Sequence, residues 1–113
     1  MDAVAEGKLL RLLGLGVRGR GALVGVDRVR EAALKGTLVL AVVAPDASHH
    51  SLEKVRPLLA AKRIRVVEGP SSTELGHAVG REATAVVGIV DRNLAKGILQ
   101  VLDAASGGTG GAA

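Results

Sequence analysis

The chain contains no phenylalanine, tyrosine, tryptophan or cysteine, and each absence removes a class of chemistry. Without cysteine there is no disulfide, no zinc–thiolate site and no cysteine nucleophile, which suits a reducing cytosol. Without aromatic rings, RNA-recognition motifs and OB-folds, which stack bases on aromatic platforms, are not expected. The core must be built from Val, Leu, Ile and Ala. Any nucleic acid would be held through shape, backbone contacts, hydrogen bonds and aliphatic packing. No apolar run approaches the roughly 20 residues that span a bilayer, so no membrane partner is expected. The opening MDAVAEGKLL lacks the basic-then-apolar layout of a signal peptide, and a cytoplasmic protein is expected.

What is present is a chain of 113 residues, long enough for one two- or three-layer core and too short for two. Its 15 Lys+Arg against 11 Asp+Glu leave a net charge of +4. That excess is compatible with a nucleic-acid partner and equally with a solvated, arginine-rich surface.

Apolar periodicity orders the chain. Val4 to Leu15 carries apolar residues at helical spacing, with Lys8 and Arg11 between them. Ala22 to Val24 is too short for a helix, and Val26 to Lys35 reads as a second helix stopped by Gly36. Thr37 to Ala44, TLVLAVVA, is a continuous aliphatic run of the kind buried on both faces of a sheet. The turn Pro45-Asp46-Ala47-Ser48 opens a third helix to about Lys62, in which Pro57 should produce a kink or a restart. Ile64 to Val67 is a strand, and Ser71-Ser72-Thr73-Glu74 is a capping box for a short helix ending at Gly80. Ala83 to Val90 is a further buried strand, and Asp91 caps a last helix to about Leu102. Helices and strands thus alternate, which predicts an α/β fold: a three-layer α/β/α sandwich around a four-stranded mixed sheet. Residues 1–103 make this domain, and the Gly/Ala/Ser-rich 104–113 reads as a flexible tail.

The stretch LGLGVRGRGALVGV, Leu13 to Val26, contains a G-x-G-x-x-G at Gly14, Gly16 and Gly19. A dinucleotide fingerprint needs a strand before the glycines and a helix after them. Here a leucine-rich helix leads in and a short strand leads out, so that reading fails. The glycines are expected instead to end the first helix. The turn would then expose backbone N–H groups beside Arg18 and Arg20 as a phosphate cradle, or simply be a solvated basic turn.

These pieces in this order resemble small bacterial YlxQ-like proteins, relatives of the archaeal kink-turn-binding ribosomal protein family. The likeness runs through LLGLGVRGRGALVGVDRVREAALKG, LVLAVVAPDAS, STELGHAVGRE and VVGIVDRNLAKGIL. It implies an α/β/α domain that grips a sharply bent RNA loop with the N-terminal end of its second helix. The partner it implies is structured RNA, kink-turn or ribosomal-RNA-like, and with it the ribosome; no DNA specificity is implied. RNA-binding members carry Gly-x-Asn-Glu-x-x-Lys there, where this chain has Gly25-Val26-Asp27-Arg28-Val29-Arg30-Glu31. Gly25 matches, but Asp27, Arg28 and Glu31 replace the Asn, Glu and Lys. Asp27 is expected as a helix N-cap that loses an amide donor. Glu31 places an anion on the same face, while Arg28 and Arg30 return positive charge that can read guanine. The second contact region implied is the loop Val79, Gly80, Arg81, Glu82 and Ala83. Its plainer reading is a helix C-cap followed by solvent-facing charges.

Nothing else rises to a site. His49 and His50 are adjacent and diverge by about 100° on a helix, and His77 stands alone, so no metal is expected. No serine sits in a nucleophile elbow. Neither a cofactor nor an enzymatic activity is expected. The alternative to RNA binding is a non-catalytic protein-interaction module that keeps the fold.

Overall fold

Alternating apolar periods of helix and strand are realised along the whole chain. The computed structural model contains α1 (Ala3–Arg18), β1 (Ala22–Val24), α2 (Val26–Lys35), β2 (Leu40–Val43), α3 (His49–Ala61), β3 (Arg65–Glu68), α4 (Ser72–Ala78), β4 (Val86–Ile89) and α5 (Arg92–Gly111). The structure describes residues 1–111 and the side chains of residues 1–104. α5 extends past Leu102, where the apolar spacing stops; the last two residues of the expected 104–113 tail lie outside the described residues.

Among the described residues the strands form one mixed sheet in the order β1-β4-β2-β3. β4 runs antiparallel to both β1 and β2, while β3 is parallel to β2. β2 lies inside the sheet, and side chains alternate between its faces. Leu40 and Val42 join Leu9, Leu13, Leu75, Val87, Ile89 and Ile98 beneath α1, α4 and α5. Ala41 and Val43 join Val29, Ala32, Val55, Leu59 and Val86 beneath α2 and α3. The result is the three-layer sandwich expected, and its central strand is buried on both sides. Each fully buried Leu, Val or Ile contributes about 1.5–3 kcal/mol against exposure.

Strand ends, Pro57 and the glycines depart from expectation. The strand expected from Thr37 starts at Leu40: the C-terminal turn of α2 takes up Gly36 and Thr37, and Val39 N–H already donates to the Ile89 carbonyl of β4 at 2.8 Å. Gly36 adopts a left-handed conformation (φ 79°), and the Thr37 amide donates to the Ala32 carbonyl at 3.0 Å. At the other sheet position, Ala83 to Ala85 lie outside β4, and Thr84 N–H donates to the Ser72 carbonyl at 3.0 Å. Pro57 does not interrupt α3: Pro57 and Glu53 are both exposed, so the carbonyl deprived of its helical donor is on the solvent side.

The glycines do not end the first helix where expected. α1 continues past Leu15; Gly14 and Gly16 lie inside it and are buried. Their role is close approach. A Cβ on Gly14 would fall 2.7 Å from the Ala78 carbonyl oxygen of α4, and one on Gly16 would overlap Leu94 of α5. Further ties join the elements. Asp46 Oδ1 accepts the Ser72 N–H at 2.8 Å, fastening the β2–α3 turn to α4. Arg56 of α3 donates twice to Glu68 of β3, at 2.8 and 2.9 Å.

The packing at Gly14 and the Arg56–Glu68 pair can each be tested by substitution. Gly14→Ala should destabilise by about 1–3 kcal/mol through overpacking, although alanine is the better helix former. Gly7→Ala, on the same helix with nothing within 4 Å of the new methyl, should stabilise by about 0.5–1 kcal/mol. Urea midpoints read both, and equal shifts would refute the packing role. At the ion pair, the Arg56 guanidinium holds the Glu68 carboxyl below the usual carboxylate range. A depressed carboxyl contributes stability above its unfolded pKa and loses it as pH falls through the folded one. Glu68→Gln should therefore cost less than about 1 kcal/mol near neutrality, as exposed pairs do. That deficit should shrink in urea titrations as pH falls below the ordinary carboxylate range and through the lowered Glu68 value.

Candidate nucleic-acid interface

Helix α2 begins where β1 ends. The Gly25 amide donates to the Val86 carbonyl at 3.1 Å, and Gly25 itself has φ 100° and ψ 159°, a conformation open to glycine and strained for other residues. Gly25 is the N-cap of α2, and no side chain caps that end. Asp27 is thus not the N-cap expected from sequence; it sits one position inside the first turn, where its charge still complements the helix dipole. The other helices end differently. Asp2 accepts the Ala5 N–H at 2.8 Å, Ser48 that of Ser51 at 3.1 Å, Ser71 that of Glu74 at 3.2 Å and Asp91 that of Leu94 at 2.9 Å. Among the described residues, α2 alone presents its first N–H groups, on Val26, Asp27 and Arg28, without a side-chain acceptor.

Beside this end, a recess runs along β1, an edge strand of the sheet. It is lined by Val17, Arg20, Ala22, Leu23, Val24, Arg28, Val79 and Arg81. Three arginines from three segments converge here: Arg20 from the α1–β1 turn, Arg28 from the first turn of α2 and Arg81 from the loop after α4. They line the recess together with aliphatic residues, among them the nearly buried Val79. Such a site can pair fixed cations with phosphate and pack aliphatic surface against a base or sugar.

The α1–β1 turn differs from the cradle expected of it. Its N–H groups are already used: Gly19 donates to Leu15 at 2.9 Å, Arg20 to Val17 at 3.2 Å and Gly21 to Gly16 at 2.7 Å. The left-handed residue is Arg20 (φ 63°), not the glycine on either side of it. Arg18 is turned away from Arg20. Its Nε donates to the Gly14 carbonyl at 3.4 Å, and it lies in a separate groove with Arg11, Glu74 and His77. Glu74 of that groove interacts with Glu6 of α1, and the interaction between the two carboxyls lowers the pKa of Glu74 and raises that of Glu6.

The remaining residues singled out from sequence lie around the recess or away from it. Arg30 donates to the Lys54 carbonyl of α3 and so joins the α2–α3 seam. Glu31 pairs with Lys35 at 3.6 Å, both well exposed. Gly80 turns the loop with φ 80°. Sequence reading missed Val17, Leu23 and Val24 as lining residues. Their signal was present in a three-residue strand flanked by arginines, but which edge it occupied was not.

Over residues 8–100 the chain matches the model of the ribosomal protein L7Ae/L30e/S12e/Gadd45 family. It is 29% identical over 92 residues to the RNA-binding protein YlxQ of Bacillus subtilis (strain 168), covering 81% of this chain and 92% of that protein. A protein with unknown function from Bacillus halodurans C has a similar structure, with a TM-score of 0.77 and 30% identity over 87% of this chain and 99% of that one. The Giardia lamblia 15.5kD RNA binding protein matches with a TM-score of 0.73 at 20% identity, over 90% and 88% of the two chains, a likeness of fold.

Arginine in a left-handed turn position costs about 1–2 kcal/mol relative to glycine. Arg20→Gly is therefore expected to raise the urea midpoint, by up to about 1 kcal/mol once the added freedom of the unfolded chain is offset. An unchanged or lowered midpoint would show that the Arg20 side chain supports the fold.

Proposed function

The chain belongs to the ribosomal protein L7Ae/L30e/S12e/Gadd45 family, and on that premise we propose that residues 1–103 form a cytoplasmic RNA-binding domain for structured RNA. The RNA is ribosomal or translation-associated, recognised through the N-terminal end of α2 and the loops beside it. One observation carries the reading: the helix end without a side-chain cap opens next to the recess where Arg20, Arg28 and Arg81 converge. Unsatisfied N–H groups and the helix dipole favour an anion at that end, and the three guanidinium groups supply bidentate donors around it. The RNA-binding protein YlxQ, similar over most of both chains, supports the same partner.

Within this reading the roles divide. Val26 and Asp27 stand in the first turn, where the family reads base edges. Asp27 accepts hydrogen bonds only, so it selects an exocyclic amine rather than a base acceptor. Arg28 stands where the RNA-binding relatives carry Glu, and contributes a bidentate donor for guanine or phosphate. Val79 and Gly80 bring aliphatic surface and open backbone to the far wall, and Arg81 a phosphate contact. Arg18 lies in the separate groove with Glu74 and His77, and Arg30 and Glu31 are engaged on α2 and α3, so none of the three lines the recess. No step of catalysis is assigned to any residue. A second reading, a protein-interaction module, draws on the exposed Val4 and Leu15 of α1, at 67% and 52% accessibility.

Filter-binding titrations against a kink-turn RNA and an unkinked duplex test the proposal. Tighter binding of the kink-turn RNA is expected, with Arg28→Gln and Arg81→Gln each weakening it about tenfold and lowering the salt slope by about one. Equal, weak affinity for both RNAs would reject kink-turn recognition. No binding to either would reject RNA as the partner and leave the protein-interaction reading.

A further inference from the structure

The end of the sheet opposite the start of α2 carries a row of cations without an ion-pair partner among the described residues. β1 starts, β4 ends, and β2 and β3 start at that end, because Ala22 and Leu40 both oppose Ile89 and Leu40 opposes Arg65. Cations follow the strand order across it. Arg20 stands just before β1, Arg92 opens α5 directly after β4, and Arg65 opens β3 with Lys62 and Arg63 in the turn before it. Lys96 stands one turn into α5, on the same groove as Arg92. With strands about 4.8 Å apart, the row from β1 to β3 is about 14 Å wide.

All five residues beyond Arg20 (Lys62, Arg63, Arg65, Arg92 and Lys96) are exposed, and none has an ion pair or side-chain hydrogen bond among the described residues. Some cations elsewhere are engaged: Lys35 pairs with Glu31, Arg56 with Glu68, and Arg30 holds the Lys54 carbonyl. Two carboxylates lie close. Asp91 is occupied as the cap of α5, and Asp103 lines the groove of Arg92 and Lys96. A second, independent observation is conformational. Arg63 (φ 56°) is the left-handed residue that ends α3, its N–H donating to Ala60 at 3.0 Å. As at Arg20, an arginine occupies a turn position that glycine would fill with less strain.

We infer that this row is a second RNA-backbone surface, continuous with the recess through Arg20, over which an RNA stem leaving the recess is tracked. The inference rests on the RNA-binding reading. Exposed cations spaced across this end, beside a groove lined by Leu38, Val39, Val90 and Leu99 but with no aromatic anchor, suit a repeating phosphate charge better than a protein partner.

The test uses the full chain and an RNA hairpin with tandem sheared G·A pairs, in a short-stem form and a form extended by one helical turn. Wild type should bind the extended hairpin more tightly and with a steeper salt slope. Arg92→Gln/Lys96→Gln and Lys62→Gln/Arg65→Gln should each weaken the extended hairpin by about three- to tenfold and leave the short one unchanged. The salt slope should fall by about one for each phosphate no longer neutralised. Arg63→Gly should weaken the extended form while unfolding at a higher urea concentration, which separates a weaker grip on RNA from a weaker fold. If these variants bind both hairpins as wild type does while Arg28→Gln weakens both, the second surface is refuted and the recess stands. If Arg28→Gln also has no effect, both readings fall. Equal loss of binding to polyglutamate would overturn RNA as the occupant of the row.

Discussion

Close approach of backbones is the constraint on which the rest of the molecule depends. A core without aromatic rings has only aliphatic side chains to fill it, so its layers must come near one another to exclude voids. Glycine makes that approach possible where a methyl group would collide: Gly14 against the Ala78 carbonyl and Gly76 against the backbone at Ala83. Gly88 in β4 does the same beneath Leu38 and Val29, 2.7 and 2.9 Å from an added Cβ. These approaches set α1 against α4 and α4 against the chain that returns to β4. They thereby place Arg20 and Arg81 on one recess.

The hydrogen bonding of the helix ends points to the same region. Four helix starts are closed by their own Asp or Ser side chains, and the β2–α3 turn closes α4 further through Asp46. α2 starts on a glycine, in a backbone conformation that leaves the first turn accessible to an outside acceptor. An anion there meets both the helix dipole and charged side chains, which act in the same direction.

Arginine placement shows a preference that stability alone does not explain. Arg20 and Arg63 occupy the left-handed positions that close α1 and α3, although glycine flanks Arg20 on both sides. Both are exposed, and neither has an ion-pair partner among the described residues. Local strain retained at charged, exposed residues is characteristic of binding surfaces. The paired cations, Lys35 and Arg56, lie in ordinary helical positions.

Much of the architecture was legible in the residues themselves. Continuous aliphatic runs marked β2 and β4, 3.6-residue spacing marked the helices, and Ser71 and Asp91 marked two helix starts, because these signals act between near neighbours. Strand ends were read too long where a Schellman turn at Gly36 and the return past α4 consumed residues. Both depend on partners outside the strand. The glycines of Leu13–Val26 were legible as glycines but not as helix interior, since the colliding atoms belong to Ala78 and Leu94, more than 60 positions away. Composition and periodicity by themselves determined an aromatic-free α/β/α fold with a basic excess, for burial and spacing are local properties of the chain. Only the tertiary structure decided which arginines meet. Arg20, Arg28 and Arg81 converge because β1 lies on the sheet edge between α1, α2 and the loop after α4, and Arg18 and Arg30 are drawn elsewhere by the helices they pack against.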